Sequence, residues 1–400
     1  MTASPRKILM AAHTAEPTGA PRVLAELACA CRAAGHDVTV VMPGASPFDQ
    51  TFRDVGIAVH RIDHPQSSVP FSDVVRTPAA LFRRLAYYRQ WRRWLQGRSF
   101  DLAYLSASVE VLRGAACRRA GLPICWHIHE EWPARPPFLA RRKIVRIKNL
   151  SHLLVFCASA CRRAFEPLPP GLGAEVLWNG INLDPYRKPL PPETRAETRR
   201  ELGASDQDWL VCTTAFIQPR KGIDVGLEAL RLLGNNKWRE LQGRPIRWVV
   251  IGERHDAWAG YCADLERRVR DFGLSDRFSI TGFRRDLPRV LGAADLFLMP
   301  SRSEAMPLAL CEAMAAGLAA VCSDVGDIRA MMKGEQCGWL VPPDDPRALA
   351  SALAAALGDD AERARRGAAA QQRAFADFSL QAMNEQFLAL LDRYFFSRSA

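Results

Sequence analysis

The sequence predicts an α/β protein built as two parallel-sheet halves, and three observations carry that reading. Short, mainly apolar runs recur at residues 7–12, 38–42, 102–105, 124–129 and 153–156, and again at 209–213, 247–251, 278–281, 295–299 and 318–322. Such runs suit strands covered on both faces, and helical stretches follow them, the alternation that yields βαβ units. The chain has 400 residues, more than one ordinary domain. Between the two sets of runs lies Asn179-Gly-Ile-Asn-Leu-Asp-Pro-Tyr-Arg-Lys-Pro-Leu-Pro-Pro192, whose prolines and Asn-Gly step mark an exposed connection.

The first unit reads as a strand over 7–12, a loop with Thr18-Gly-Ala-Pro21, a helix to about residue 34, and Gly35-His-Asp37 leading into the next strand. Gly19 in that loop is either a turn glycine or one that lets the backbone approach a phosphate closely. At the other end, Phe387, Leu390, Leu391 and Tyr394 fall at helical spacing within residues 380–396.

Hydrophobic residues at 48% and charged residues at 24% are ordinary globular values and argue against disorder. The eleven cysteines form no Cys-x-x-Cys and lie mostly in apolar segments, as buried thiols of a reducing compartment would. No His/Cys group has zinc spacing, and no catalytic metal is expected. No apolar stretch approaches the ~20 residues that span a bilayer, and the run at 8–12 is too short for a secretory segment. The expected location is the cytoplasm or the cytoplasmic face of a membrane. A Gly-x-Gly-x-x-Gly signature is missing from the first strand–helix turn, which argues against a nicotinamide enzyme. Asp206-Gln-Asp208 precedes its strand and reads as a turn or helix-stop feature.

The most informative block is Pro300-Ser-Arg-Ser-Glu304-Ala-Met-Pro307-Leu-Ala-Leu-Cys-Glu312-Ala-Met-Ala-Ala-Gly317. Residues 295–299 read as a buried strand, 300–304 as the loop at its carboxyl end, and Pro307 as the first helical residue. Ligands bind open α/β sheets at such ends. The first amides of the helix, Leu308 and Ala309, can hold a diphosphate. Glu304 on the loop and Glu312 one turn into the helix can accept hydroxyls of a sugar and a ribose. The pair taken alone is also consistent with two solvated glutamates. Lys221, before a helix starting near Ile223, is either a solvated lysine or a cation facing a diphosphate, with Arg220 beside it.

With this block, Ala215-Phe-Ile-Gln-Pro-Arg-Lys-Gly222, Val249-Val-Ile-Gly252, Ile280-Thr-Gly-Phe-Arg-Arg-Asp286 and Gly338-Trp-Leu-Val-Pro-Pro343 stand in order. The sequence thereby resembles the family 4 retaining glycosyltransferases of the GT-B fold, over residues 7–395. The resemblance implies two Rossmann-like domains facing a central cleft: an acceptor-binding domain over 1–180, a nucleotide-sugar domain over 181–378, and a terminal helix over 379–400 crossing back to the first. It implies Glu304, Lys221 and His129 as catalytic residues. It assigns Gly19, Arg220, Lys221, Gly252, Phe283, Glu304, Met306, Pro307, Leu308, Ala309 and Glu312 to the donor. His129 is preferred over His127 on the resemblance alone. The reaction implied is a front-face substitution, in which the leaving phosphate oxygen takes the proton of the attacking hydroxyl. No cofactor is implied beyond a UDP- or GDP-sugar substrate. Two departures stand out: Phe216 and Ala215 occupy positions where many members have an arginine, and Asp327 and Ala319 stand where glycine and proline are usual.

The net charge of +11 is concentrated. No acid lies between Asp73 and Asp101, where Arg76, Arg83, Arg84, Arg89, Arg92, Arg93 and Arg98 interleave with Phe82, Tyr87, Tyr88, Trp91 and Trp94. A second acid-free stretch, 132–165, carries Arg135, Arg141, Arg142, Lys143, Arg146 and Lys148. These helices either face an anionic membrane surface or are arginine-rich helices with aromatics packed inward. No nucleic-acid motif accompanies the charge, so nucleic acid is not an expected partner. The acceptor that the resemblance implies is a hydroxyl of a glycolipid, a glycan or a small molecule. Two other functions fit the sequence: a GT-B phosphorylase, distinguished by phosphate-dependent cleavage, and a non-catalytic nucleotide-sugar or membrane-binding protein, distinguished by a lack of turnover.

Overall fold

The computed structural model describes residues 4–16, 19–63, 78–108, 111–132, 137–234 and 243–397. The chain forms two compact units, residues 1–179 with 381–400 and residues 180–380.

Unit 1 holds a seven-stranded sheet: β1 (Lys7–Ala11), β2 (Asp37–Met42), β3 (Ala58–Arg61), β4 (Leu102–Ser106), β5 (Ile124–Ile128), β6 (Leu153–Phe156) and β7 (Gly173–Val176), in the order β3-β2-β1-β4-β5-β6-β7. Unit 2 holds β8 (Trp209–Thr214), β9 (Ile246–Ile251), β10 (Phe278–Ile280), β11 (Leu296–Met299), β12 (Ala320–Ser323) and β13 (Gly338–Val341), in the order β10-β9-β8-β11-β12-β13. The pairings within both sheets are parallel. Each is a Rossmann-like sheet whose order reverses once, between β1 and β4 and between β8 and β11. That reversal opens the crevice where such sheets take ligands.

Central strands such as β4, β5, β6 and β11 are buried at every residue, as their unbroken apolar runs require. The edge strands β3 and β7 read Ala-Val-His-Arg and Gly-Ala-Glu-Val and are only partly covered. A one-sided strand lacks the apolar run that marks a central one, so neither was evident in the sequence. The connection expected over 179–192 is partly structured: Asp184–Tyr186 makes a 3-10 turn and Pro192 opens the helix Pro192–Glu201.

In unit 1 the helix Leu380–Leu391 places the Phe387 ring edge-on to Tyr104 at 5.5 Å, and Tyr394 donates its hydroxyl to Glu175 at 2.8 Å. The helix Val111–Arg119 packs against both Pro78–Leu95 and Phe138–Leu150. On Pro78–Leu95, Tyr87, Trp91 and Leu95 are buried at four-residue spacing, and Trp94 stacks on Phe100. Most of the aromatics considered for a membrane surface therefore turn inward. The buried Arg113 lies over the Trp91 ring and donates to the Ala12 carbonyl at 2.7 Å. The exposed apolar side chains are Leu81, Phe82 and Leu85 on one helix and Phe138, Leu139 and Val145 on the other. Thr18, Asp73, Arg76 and Arg135 lie outside the described residues.

All eleven cysteines are free thiols, and all but Cys29 are buried. Among the described residues no helix is long and apolar enough to cross a membrane.

Candidate active site

The site in unit 2 is made by loops leaving β8 and β11, the two strands that flank the reversal of sheet order. After β8 the chain makes one 3-10 turn, Pro219–Lys221, and stops at Gly222 with φ of 63°. A Cβ on Gly222 would sit 1.9 Å from the Pro300 carbonyl oxygen, so only glycine lets the two loops touch. From the other side, a Cβ on Gly326 would meet the Glu304 carbonyl oxygen at 2.0 Å, and the Asp327 N–H donates to Ala305 O at 3.0 Å.

These contacts hold Glu304 in a cage of donors. Lys221 Nζ donates to Glu304 Oε1 at 2.6 Å, and Ser301 Oγ to the same oxygen at 2.8 Å. Arg220 donates to Glu304 Oε2 at 3.1 Å and to the Ser303 carbonyl at 2.7 Å. Glu304 is only 5% exposed. Burial pushes its carboxyl up, but the Lys221 and Arg220 cations and the bonds from Lys221 and Ser301 prevail and hold it below the usual carboxylate range. For Lys221 the balance runs the other way. Burial depresses the ammonium, the Glu304 charge restores part of this, and Arg220 depresses it further, so it stays below the ordinary lysine value. The carboxylate is well satisfied while the lysine is not. The trio carries a net charge of +1, and its electrostatics favour one more anion beside Lys221.

The helix Leu308–Ala315 begins next to this trio. Pro307 is its cap, at φ −76° and ψ 117°, and Leu308 is the first helical residue, one position later than the sequence suggested. The missing N–H of proline removes a donor where none is needed, yet its ψ remains extended. The Pro307 carbonyl accepts from Leu310 at 3.1 Å, which leaves Leu308 and Ala309 as first-turn amides with no intrahelical acceptor. Glu312, 8% exposed, lies one turn further on, and Met306 is 5% exposed. At the end of β9, Gly252 has φ of 157°, and a Cβ there would meet the Ala215 carbonyl at 1.9 Å. The glycine is thus explained by the packing of two loops. Phe283 beyond β10 and Phe216 beyond β8 are exposed.

In unit 1, His129 follows β5. The ring of His127, two residues back, lies 3.9 Å from it, centroid to centroid, on the same side of the strand. His127 pairs its Nδ1 with the Tyr104 hydroxyl at 2.7 Å and is fully buried. Burial depresses both imidazoles, His127 to about 3, and for His129 the neighbouring His127 and His13 add to it, so both rings are neutral at pH 7. Glu130 is pushed up by burial and accepts the Ser108 N–H at 3.0 Å and the His129 N–H at 3.2 Å, tying the ends of β4 and β5 together. Gly19 departs from expectation. It is the first residue of the helix Gly19–Ala33 and not a loop residue, and a Cβ there would meet nothing within 4 Å. No backbone strain calls for glycine at that position.

Asp208 caps its own turn, accepting from the Ser205 N–H and hydroxyl at 2.6 Å each. Among the described residues no group of three or more His, Cys, Asp or Glu could hold a metal. Two residues of the site escaped the sequence reading, Ser301 and Arg302. Ser301 had a signal, the Ser-x-x-Glu spacing that lets a hydroxyl reach a carboxylate three residues on. Arg302 had none.

Residues 194–373 match the glycosyl transferases group 1 family and residues 18–166 the glycosyl transferase 4-like domain. HepE of Anabaena, solved in complex with UDP and glucose, superposes with a TM-score of 0.78 at 21% identity, covering 97% of this chain and 100% of HepE. The chain belongs to the family 4 glycosyltransferases of the GT-B fold. This family 4 chain is 31% identical over 186 residues to the D-inositol 3-phosphate glycosyltransferase of Jonesia denitrificans, covering 46% of this chain and 43% of that protein. It is 28% identical over 210 residues to the lipopolysaccharide core biosynthesis mannosyltransferase LpsB of Rhizobium meliloti, covering 52% and 57%. It thus spans about half the length of the relatives it matches.

Proposed function

We propose that the chain transfers a hexose-type sugar from a UDP- or GDP-sugar to a hydroxyl acceptor, with retention at the anomeric carbon and without a catalytic metal. The observation that carries this reading is the cluster of buried Glu304 and Ser301 with Lys221 and the more exposed Arg220 at the start of the Leu308–Ala315 helix. A sugar diphosphate matches it in charge. The amides of Leu308 and Ala309 bind the diphosphate, and Glu312 accepts from the ribose hydroxyls. Gly252, Phe283, Met306 and Pro307 line the same donor site, and Glu304 accepts from the sugar hydroxyls. Lys221 and Arg220 answer the negative charge that grows on the leaving phosphate, so stabilisation increases toward the transition state. Arg220 supplies the second cation in place of the arginine that Phe216 displaces. The bond from the anomeric carbon to the diphosphate oxygen breaks while the acceptor oxygen bonds on the same face. The proton of the acceptor hydroxyl passes to the departing oxygen, and no separate base is needed. In unit 1, assigned to the acceptor, the neutral imidazole of His129 offers a ring nitrogen to a sugar hydroxyl.

UDP-bound HepE supports the donor class, and the lipopolysaccharide core role of LpsB supports a glycolipid or surface-glycan acceptor. For such an acceptor, the exposed Leu81, Phe82, Phe138 and Leu139 beside Arg83, Arg141 and Arg142 suit an anionic membrane surface. A thermal-shift screen against UDP, GDP and their sugars tests the core of the reading. A nucleotide at 100 times its dissociation constant stabilises the fold by ~2.7 kcal/mol. Failure of every nucleotide to raise the melting temperature rejects the donor site.

A further inference from the structure

We propose that Arg302 is a positioning residue that sets the spacing of Lys221 and Glu304 by clasping three loops together. The role rests on the donor-site reading above.

Arg302 makes more directed contacts than either residue it would position. Its backbone N–H donates to the Arg220 carbonyl at 2.8 Å, and Arg220 returns a bond to the Ser303 carbonyl at 2.7 Å, so the two loops hold each other reciprocally. One guanidinium nitrogen of Arg302 donates to the Pro219 carbonyl at 2.5 Å and to Asp224 Oδ1 at 2.9 Å, and the other to Asp224 Oδ2 at 2.7 Å. Its Nε donates to Asp344 at 2.6 Å. A single side chain on the loop after β11 thus grips the loop after β8, the first turn of the helix Ile223–Gly234 and the loop after β13.

Both carboxylates are themselves held. Asp224 accepts the Tyr261 hydroxyl at 2.7 Å. Asp344 has φ of 57°, a left-handed conformation uncommon outside glycine, and in that turn its carboxylate reaches Arg302. Burial pushes the Asp224 carboxyl up, but the bonds from Arg302 and Tyr261 bring it below its ordinary value. The two aspartates more than offset the Arg302 charge within the loops, whereas Lys221 and Arg220 share one carboxylate. Arg302 therefore supplies geometry and Lys221 with Arg220 supply charge. Because Glu304 lies two residues from Arg302 and Lys221 two residues from Pro219, loosening the clasp moves both functional groups. A displacement of about 1 Å in such a site costs on the order of 100-fold in rate.

The test uses the full chain carrying Arg302→Met or Arg302→Lys. Hydrogen exchange on the unliganded protein is expected to accelerate about tenfold or more in residues 217–224 and 300–306, with β9 and β12 unchanged. With whichever UDP- or GDP-sugar the wild type turns over, kcat for Arg302→Met should fall about 100-fold while the donor KM moves less than about threefold. Arg302→Lys, which keeps the charge but not the fork, should recover only part of the loss. If Arg302→Met does not fold, Asp344→Gly, which tolerates the φ of 57° and has no acceptor, removes the Nε contact alone, and faster exchange confined to 300–306 is expected. Unchanged exchange in both segments overturns the proposal, as does faster exchange spread evenly through unit 2. A wild type that binds no nucleotide sugar rejects the donor reading, while the exchange result still decides the clasp.

Discussion

Replacing Lys221 with methionine isolates the pairing at the centre of the site. Methionine keeps most of the volume of the lysine stem and removes the bond to Glu304 Oε1 at 2.6 Å. Breaking a buried ion pair from one side ordinarily costs about 3–5 kcal/mol. Here the carboxylate keeps the Ser301 hydroxyl at 2.8 Å and Arg220 at 3.1 Å, although Arg220 is 44% exposed and its attraction is weakened by solvent. Removing Lys221 also relieves its own desolvation. The expected loss is therefore about 2 kcal/mol at pH 7, the scale of one bond to a charged group. Its pH dependence has a definite sign. The Glu304 carboxyl is held low in the folded wild type, so its contribution is complete above the unfolded value near ~4.3 and is lost as pH falls through the folded value. In the mutant, burial pushes the carboxyl up, so the stability gap is widest at neutral pH and closes as both proteins become protonated below about pH 4. Denaturant unfolding across that range measures the gap. Turnover should fall roughly 10²- to 10³-fold, the cost of removing one donor aimed at developing charge, with a smaller change in donor affinity. Superimposable stability curves would refute the electrostatic account of the pair, and wild-type kcat with only a raised donor KM would refute the leaving-group role.

Glu312→Ala should weaken nucleotide binding by ~1.5–3 kcal/mol in calorimetry with an unchanged circular dichroism spectrum; equal affinity removes Glu312 from the site. Gly222→Ala, whose Cβ would lie 1.9 Å from the Pro300 oxygen, should force the two loops apart and lower both thermal stability and donor affinity, and a stable, active variant would contradict the contact. Phe82→Glu with Phe138→Glu should release the protein from anionic vesicles at low salt while nucleotide binding is kept; a wild type that does not sediment with such vesicles excludes the membrane surface.

The sequence by itself determined the α/β class, because central parallel strands are covered on both faces and must be apolar at nearly every position, as β4 and β11 are. It also marked Glu304, Glu312 and Lys221 as residues to place, because chemistry at a strand's carboxyl end depends on residue type and local spacing. The cage around Glu304 was legible only in part: Ser301 acts over three residues, within the reach of a local pattern, while Lys221 meets the same carboxylate from 83 residues away. Tertiary structure alone decided Arg302, whose partners Pro219, Asp224 and Asp344 come from three other segments, so no periodicity or spacing encodes them. It also decided the inward turn of Tyr87, Trp91 and Trp94, since a helix rich in both arginine and aromatics has two apolar stripes and the neighbouring helix chooses which one is buried. Gly222 and Gly252 belong to the same class. The resemblance assigned Gly252 to the donor and left Gly222 without a role, and the structure supplies a carbonyl oxygen 1.9 Å from each missing Cβ, a requirement set by backbone packing between loops distant in the chain.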